Sequence, residues 1–196
     1  MTIDPGPADD RRWKRLQNRS WTCGSCGQTH TGIFDIAFDK PTVWPDAKER
    51  ISNAALAPGL THFLSDDFCV LENEHYFVRC VLELPILGAN GGLFAFGVWS
   101  SLSKRNFVIY AENFNSDDRC TLGPWFGWFS NRLPGYPDTL NLKCQVHPRD
   151  DRRRPFIELE PTDHPLACDQ RNGISIDRLI EIYAACGHDL RSALSD

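Results

Sequence analysis

From Tyr76 to Leu84 the chain alternates without a break: Tyr76, Val78, Cys80, Leu82 and Leu84 fall on one side, and Phe77, Arg79, Val81 and Glu83 on the other. A period of two sustained over this length specifies a β-strand. The turn-forming run Gly88-Ala89-Asn90-Gly91-Gly92 then leads into a second apolar stretch, Leu93–Leu102, so the two are expected to form a hairpin. The same glycines do not make a phosphate loop, because no helix opens behind them. Whatever else the chain does, its middle is expected to be sheet.

The flanking patterns extend that sheet. Leu140, Leu142, Cys144 and Val146 share one face of a half-buried strand, with Asn141, Lys143 and Gln145 on the other. In Phe156–Glu160 the buried pair is expected to be Ile157 and Leu159, and a short strand is expected within Ile33–Phe38. Helices are expected from an Asp46 cap to about Leu56, after Ser103 through Ala111, and from Ser175 through Tyr183 to a stop at Gly187; Asn115–Arg119 reads as loop. Strands in series with helices between and after them indicate an α+β fold, a mostly antiparallel sheet with flanking helices and an N-terminal zinc-knuckle-like turn. Residues 1–19, with Pro5, Gly6 and Pro7, read as a flexible tail with at most one helical turn. Residues 20–196 then make a single domain whose first segment, 20–32, carries the knuckle.

Charge narrows the function classes. The net charge is −5, which offers no overall basic field to a phosphate backbone. Two local clusters, Arg11, Arg12, Lys14, Arg15, Arg19 and Arg149, Arg152, Arg153, Arg154, read as solvated surface, so nucleic acid is not an expected partner. No apolar run approaches the roughly 18 residues of a membrane span, and no membrane association is expected. The polar start Met1–Asp10 does not read as a signal peptide, so the eight cysteines are expected reduced and the protein cytoplasmic.

Cys23-Gly24-Ser25-Cys26-Gly27, with His30 following, is the most chemically specific motif. Two thiolates three residues apart on a tight turn can share one zinc ion, and His30 stands at a usable spacing for a third ligand. The fourth is left open among Cys69, His147, His164 or water. A redox dithiol needs its first cysteine at a helix N-terminus, and the glycine-rich continuation opens none; a pair of purely structural thiols is the remaining alternative. Zinc so close to a chain end is expected to be structural. Cys80, Cys144 and Cys186 read as small buried hydrophobes.

A second polar concentration lies at 154–173. Glu158 and Glu160, two apart on a strand, place their carboxylates on one face about 7 Å apart, and Asp163-His164 follows. The set can supply acid, base or metal ligands; equally, Glu-x-Glu can be a solvated edge and Asp-His-Pro a turn. Cations such as Arg79, Lys143 or His147 on the same face would keep both carboxylates ionised. The aromatic run Trp125–Phe129, with Trp99 and Tyr136, offers either core or an aromatic floor for a ligand. No Gly-x-Ser-x-Gly, His-Glu-x-x-His, Walker or dinucleotide motif occurs.

Cys-x-x-Cys-Gly-x-x-His at 23–30, Asp67-x-Cys69, Phe77-x-Arg79, Gly97-Val98-Trp99, Leu102-Ser103, Asn106-Phe107, Phe126-Gly127, Tyr136-Pro137-x-Thr139-Leu140 and Glu158-Leu159-Glu160-Pro161-Thr162-Asp163-His164-Pro165-Leu166 together resemble the bacterial family called domain of unknown function 2199. The resemblance runs from about Trp21 to Ile182. The family pattern has glycine where Cys80 stands and tryptophan where Phe96 stands, and neither departure touches a candidate metal ligand. The resemblance implies a bacterial, intracellular protein and implies no activity.

The residues therefore point to a binding or interaction module, with a protein partner or small ligand, stapled by zinc at Cys23, Cys26 and His30. Its polar sheet face would present Arg79, Trp99, Glu158, Glu160, Asp163 and His164. Small immunity proteins against bacterial toxins share this size and acidity, by analogy only. The rival is a metal-assisted or acid–base hydrolase using Glu158 or Glu160 with His164.

Overall fold

The computed structural model describes residues 10–18, 20–45, 49–55, 59–190 and 194. In chain order the elements are α1 (Arg11–Asn18), β1 (Ser20–Thr22), β2 (Thr29–Thr31), β3 (Ile36–Ala37), β4 (Phe63–Leu64), β5 (Phe68–Leu71), β6 (His75–Pro85), β7 (Leu93–Leu102), α2 (Lys104–Glu112), β8 (Trp125–Trp128), β9 (Lys143–His147), β10 (Phe156–Leu159), α3 (Pro165–Asn172) and α4 (Ile176–Ala185). No helix among the described residues is long and apolar enough to cross a membrane.

The β6–β7 hairpin is the spine, paired from Tyr76 opposite Leu102 to Pro85 opposite Leu93. The main sheet runs β3-β7-β6-β10-β9-β8, with β5 also beside β6 and β4 beside β5. Its pairings are antiparallel except β3 with β7 and β10 with β6, so the α+β expectation holds and the sheet is mixed. The sheet also curls back on itself: Phe129, just past β8, bridges Ser100 of β7, and Ser130 N–H donates to the Trp99 carbonyl at 2.9 Å. A Cβ at Gly127 would collide at this seam with Ser100 Oγ and the Ser101 carbonyl. Gly127→Ala is therefore expected to cost about 1–3 kcal/mol, as overpacking does. Urea denaturation reads this directly, and an unshifted midpoint would mean the seam is looser than described.

The inner face of the sheet carries the main core. Val78, Cys80, Leu82, Leu84, Phe94 and Phe96 meet Leu166 of α3 and Leu179, Ile182 and Tyr183 of α4, all buried. Ser103 caps α2 by accepting from Asn106 N–H, and Ser175 caps α4 by accepting from Arg178 N–H. Each cap satisfies one of the first turn's free backbone donors, which marks where the helix starts.

Four expectations change. The described part of the segment expected to be a tail is helix α1, whose Trp13 and Leu16, three residues apart, are buried in the main core; residues 1–9 and 19 lie outside the described residues. The helix expected over 46–56 is absent from its described part, and Asp46, Ala47 and Leu56 lie outside it. There Arg50 bridges Leu64, Ile51 N–H donates to the Leu64 carbonyl, and only a 3₁₀ turn, Asn53–Ala55, forms. The Asn53 amide is held by Asp67, donating to Oδ2 at 2.8 Å and accepting from its N–H at 3.2 Å, so the segment bonds to its neighbours rather than to itself. Asp163-His164-Pro165, for which a turn was one of two readings, opens α3 with Pro165 in its first turn, where a missing N–H costs nothing.

The fourth change concerns the outer face. Trp99 is fully buried there with Trp44, Leu64, Cys69 and Phe77. Its indole N–H donates to the Phe38 carbonyl at 3.0 Å, its backbone N–H to Asn131 Oδ1 at 2.7 Å, and Asn131 Nδ2 donates to the Lys40 carbonyl at 2.8 Å. Arg79 is 7 % exposed, with Nη2 3.6 Å from Asp39 Oδ1. Burial, with Arg154 and Arg50 nearby, lowers its pKa. Segment 38–44 and strands β4 and β5 thus cover this half of the face, and Trp99 is a core residue rather than a ligand floor.

Candidate metal centre

The antiparallel pair β1 and β2 carries the Cys23–Gly27 turn between its strands. Cys23 N–H donates to the Gln28 carbonyl at 2.9 Å and Gly27 N–H to the Cys23 carbonyl at 2.8 Å, which closes the turn and sets Cys23 and Cys26 side by side. His30 stands on β2 opposite Trp21.

The fourth group comes from the other end of the chain. Helix α4 ends in a Schellman motif: Gly187, at φ +85°, donates its N–H to the Ala184 carbonyl at 3.1 Å, and His188 N–H donates to the Tyr183 carbonyl at 2.8 Å. Only a residue without a Cβ takes that left-handed step cheaply. The step turns His188 back onto the knuckle. Phe34 packs against both histidines, stacked on His30 at 4.0 Å and edge-on to His188 at 5.0 Å, and the two imidazoles meet edge-on at 5.6 Å. Tyr183 holds Phe34 in turn, its hydroxyl donating to the Phe34 carbonyl at 2.6 Å.

One ligand atom from each of Cys23, Cys26, His30 and His188 lies within 4.8 Å of all the others. Cys26 Sγ is 3.3 Å from His30 Nε2, and Cys23 Sγ is 3.8 Å from His188 Nδ1. Tetrahedral zinc, with Zn–S of about 2.3 Å and Zn–N of about 2.0 Å, sets such atoms about 3.3–3.8 Å apart, so the group fits with a small contraction. Protonation favours the same use. The Cys26 backbone N–H foremost, with His188 and the Ser25 N–H, brings the Cys23 pKa down to about 6 against the opposing cost of burial. Burial and the neighbouring His188 lower the His30 pKa, favouring neutral imidazole. Thiolate and neutral imidazole are the forms that ligate.

The sequence profile of a family described as uncharacterized proteins conserved in bacteria, domain of unknown function 2199, matches residues 22–174. The chain belongs to this family. No curated protein and no solved structure matches it. In this member of the 2199 family three of the four clustered residues fall within the matched region, and His188 lies beyond it.

The three side chains expected as possible fourth ligands lie elsewhere. Cys69 is fully buried in the outer cluster, where burial pushes its pKa up to about 12. His147 Nε2 is 3.2 Å from Glu158 Oε2, and its ring stacks on Phe156 at 4.4 Å. His164 caps α3, its Nδ1 accepting from Leu166 N–H at 3.2 Å. His188 is preceded by a legible signal, the glycine that stops α4.

The expected polar face is only partly assembled. Glu158 and Glu160 are exposed on the outer face, and Glu160 pairs with Lys143 at 3.6 Å. They border a cavity of about 240 Å³ with Phe126, Gln145 and Pro161, and Glu158 also borders one of about 320 Å³ with Phe156, Gln170 and Arg171. His164 lines neither, and Asp163 is exposed beside it. Each carboxylate thus faces a basic side chain on β9, while His164, which would complete an acid–base pair, uses Nδ1 as a helix cap and lines neither cavity.

Proposed function

We propose that this protein is a binding module whose two chain ends are joined by one structural zinc ion held by Cys23, Cys26, His30 and His188, and that it works in the reducing cytoplasm. The observation that carries the reading is the convergence of four ligand atoms from the knuckle and from the residue after α4. Two sulfurs and two imidazole nitrogens within 4.8 Å of one another suit zinc better than the oxygen-seeking cations. Four protein ligands leave no open position for water or substrate, the arrangement of structural sites. His30 and Phe34 hold the knuckle side, and Gly187 with His188 delivers the C-terminal side. All eight cysteines are free thiols, which suits a reducing compartment.

The hydrolase reading draws no support from this geometry, since Glu158 and Glu160 face His147 and Lys143 while His164 caps α3. Elemental analysis of protein purified without chelator tests the zinc reading: about one zinc per chain in the wild type, and little in Cys26→Ser or His188→Gln. A metal-free wild type sinks it.

A further inference from the structure

The largest of the described cavities, about 530 Å³, lies on the outer face away from the candidate metal cluster, lined by His75, Phe77, Ser101, Trp128, Ser130 and Asn141 with three aliphatic residues. Its size falls in the range of small-molecule sites, roughly 300–1,000 Å³. The strand register explains its shape. Phe77 pairs directly with Ser101 across β6 and β7, and the Ser100–Phe129 bridge puts Ser101 beside Trp128, whose N–H donates to Ser101 Oγ at 3.1 Å. Phe77, Ser101 and Trp128 therefore form one row with the smallest side chain in the middle. Neighbouring strands lie about 4.8 Å apart, so the two aromatic residues flank the serine across roughly 10 Å. One flat ring in contact on both faces needs about 7 Å.

The chemistry of the wall narrows the occupant. No Asp, Glu, Lys or Arg is among the described residues that line it, on a chain that is 24 % charged. The polar groups at hand are two hydroxyls, an amide and an imidazole, which read donors and acceptors on a ring edge rather than a net charge. Trp128 is 40 % exposed although it is a large apolar residue, the condition of a stacking platform open to solvent.

We propose that this slot binds a flat, uncharged heterocycle of the nucleobase class, stacked between Phe77 and Trp128 over Ser101, with Asn141, Ser130 and His75 around its edge. A phosphate gains nothing from a wall without cations, so a nucleoside binds at least as tightly as its monophosphate. The proposal does not rest on the metal, and each can fail without the other.

Calorimetric titration of the full chain with adenosine, guanosine, cytidine and uridine, and with methyl β-glucoside as a non-planar ring, tests it. At least one nucleoside is expected to bind, with its 5′-monophosphate no tighter. Trp128→Ala should weaken that binding by about five- to a hundredfold, the usual loss of one aromatic stack, and Ser101→Leu should abolish it by filling the slot. Circular dichroism confirms that the variants are folded; should Ser101→Leu fail to fold, Trp128→Ala decides alone. No saturation by any nucleoside at several millimolar, binding unchanged by Trp128→Ala, or binding of the glucoside alone overturns the proposal.

Discussion

Replacing His188 with glutamine is expected to lower the melting temperature by about 8–16 °C. A ligand present at a thousand times its dissociation constant stabilises the state it binds by about 4 kcal/mol, and in a domain of this size each kcal/mol is worth about 2–4 °C. The loss falls on the C-terminal segment, where Leu190 is fully buried and Leu194 nearly so, and where Arg15 donates to the Leu194 carbonyl at 2.7 Å. Part of the cost is packing, because His188 also meets Phe34. Chelation separates the two contributions. Wild-type protein stripped of metal should melt close to the variant, and the chelator should barely move the variant. A variant that melts like the wild type, with both insensitive to chelator, would show that these four residues cluster without a metal.

Trp99→Ala is expected to destabilise by about 3–5 kcal/mol, the range for emptying a fully buried tryptophan site. The indole is enclosed by Trp44, Leu64, Cys69 and Phe77, and its N–H donates to the Phe38 carbonyl. Trp99→Phe keeps most of the volume and gives up that hydrogen bond, so it should cost less, with the stranded Phe38 carbonyl contributing about 1–3 kcal/mol. Chemical denaturation of the three proteins orders them wild type, Trp99→Phe, Trp99→Ala. Equal midpoints would return Trp99 to the open surface.

Trp99 also shows where sequence reading stops. Alternation placed Phe77, Arg79, Val81 and Glu83 together on the second face of β6, and they are there; what covers a face is decided by distant chain. Segment 38–44 and strands β4 and β5 cover Trp99, leave Phe77 bordering the outer cavity, and leave Glu158 in the open. Strands β6, β7, β9 and β10 and helices α2 and α4 were legible because each has a period or a cap within its own residues. Helix α1 was not, since two apolar side chains among four basic ones carry little periodicity and gain their burial only against the finished core. Helix α3 was hidden by Pro165, which stiffens a turn or opens a helix with equal ease until the residues behind it are packed. The candidate metal cluster was three-quarters legible. Cys23, Cys26 and His30 announce themselves by spacing, whereas His188 belongs to no local motif and is brought in by the left-handed step at Gly187.

X-ray absorption at the zinc edge of the purified full chain probes the proposed site of two thiolates and two imidazoles that joins the knuckle to the end of α4. The predicted first shell is two sulfurs at about 2.3 Å and two nitrogens at about 2.0 Å. A shell of oxygen and nitrogen alone would contradict it.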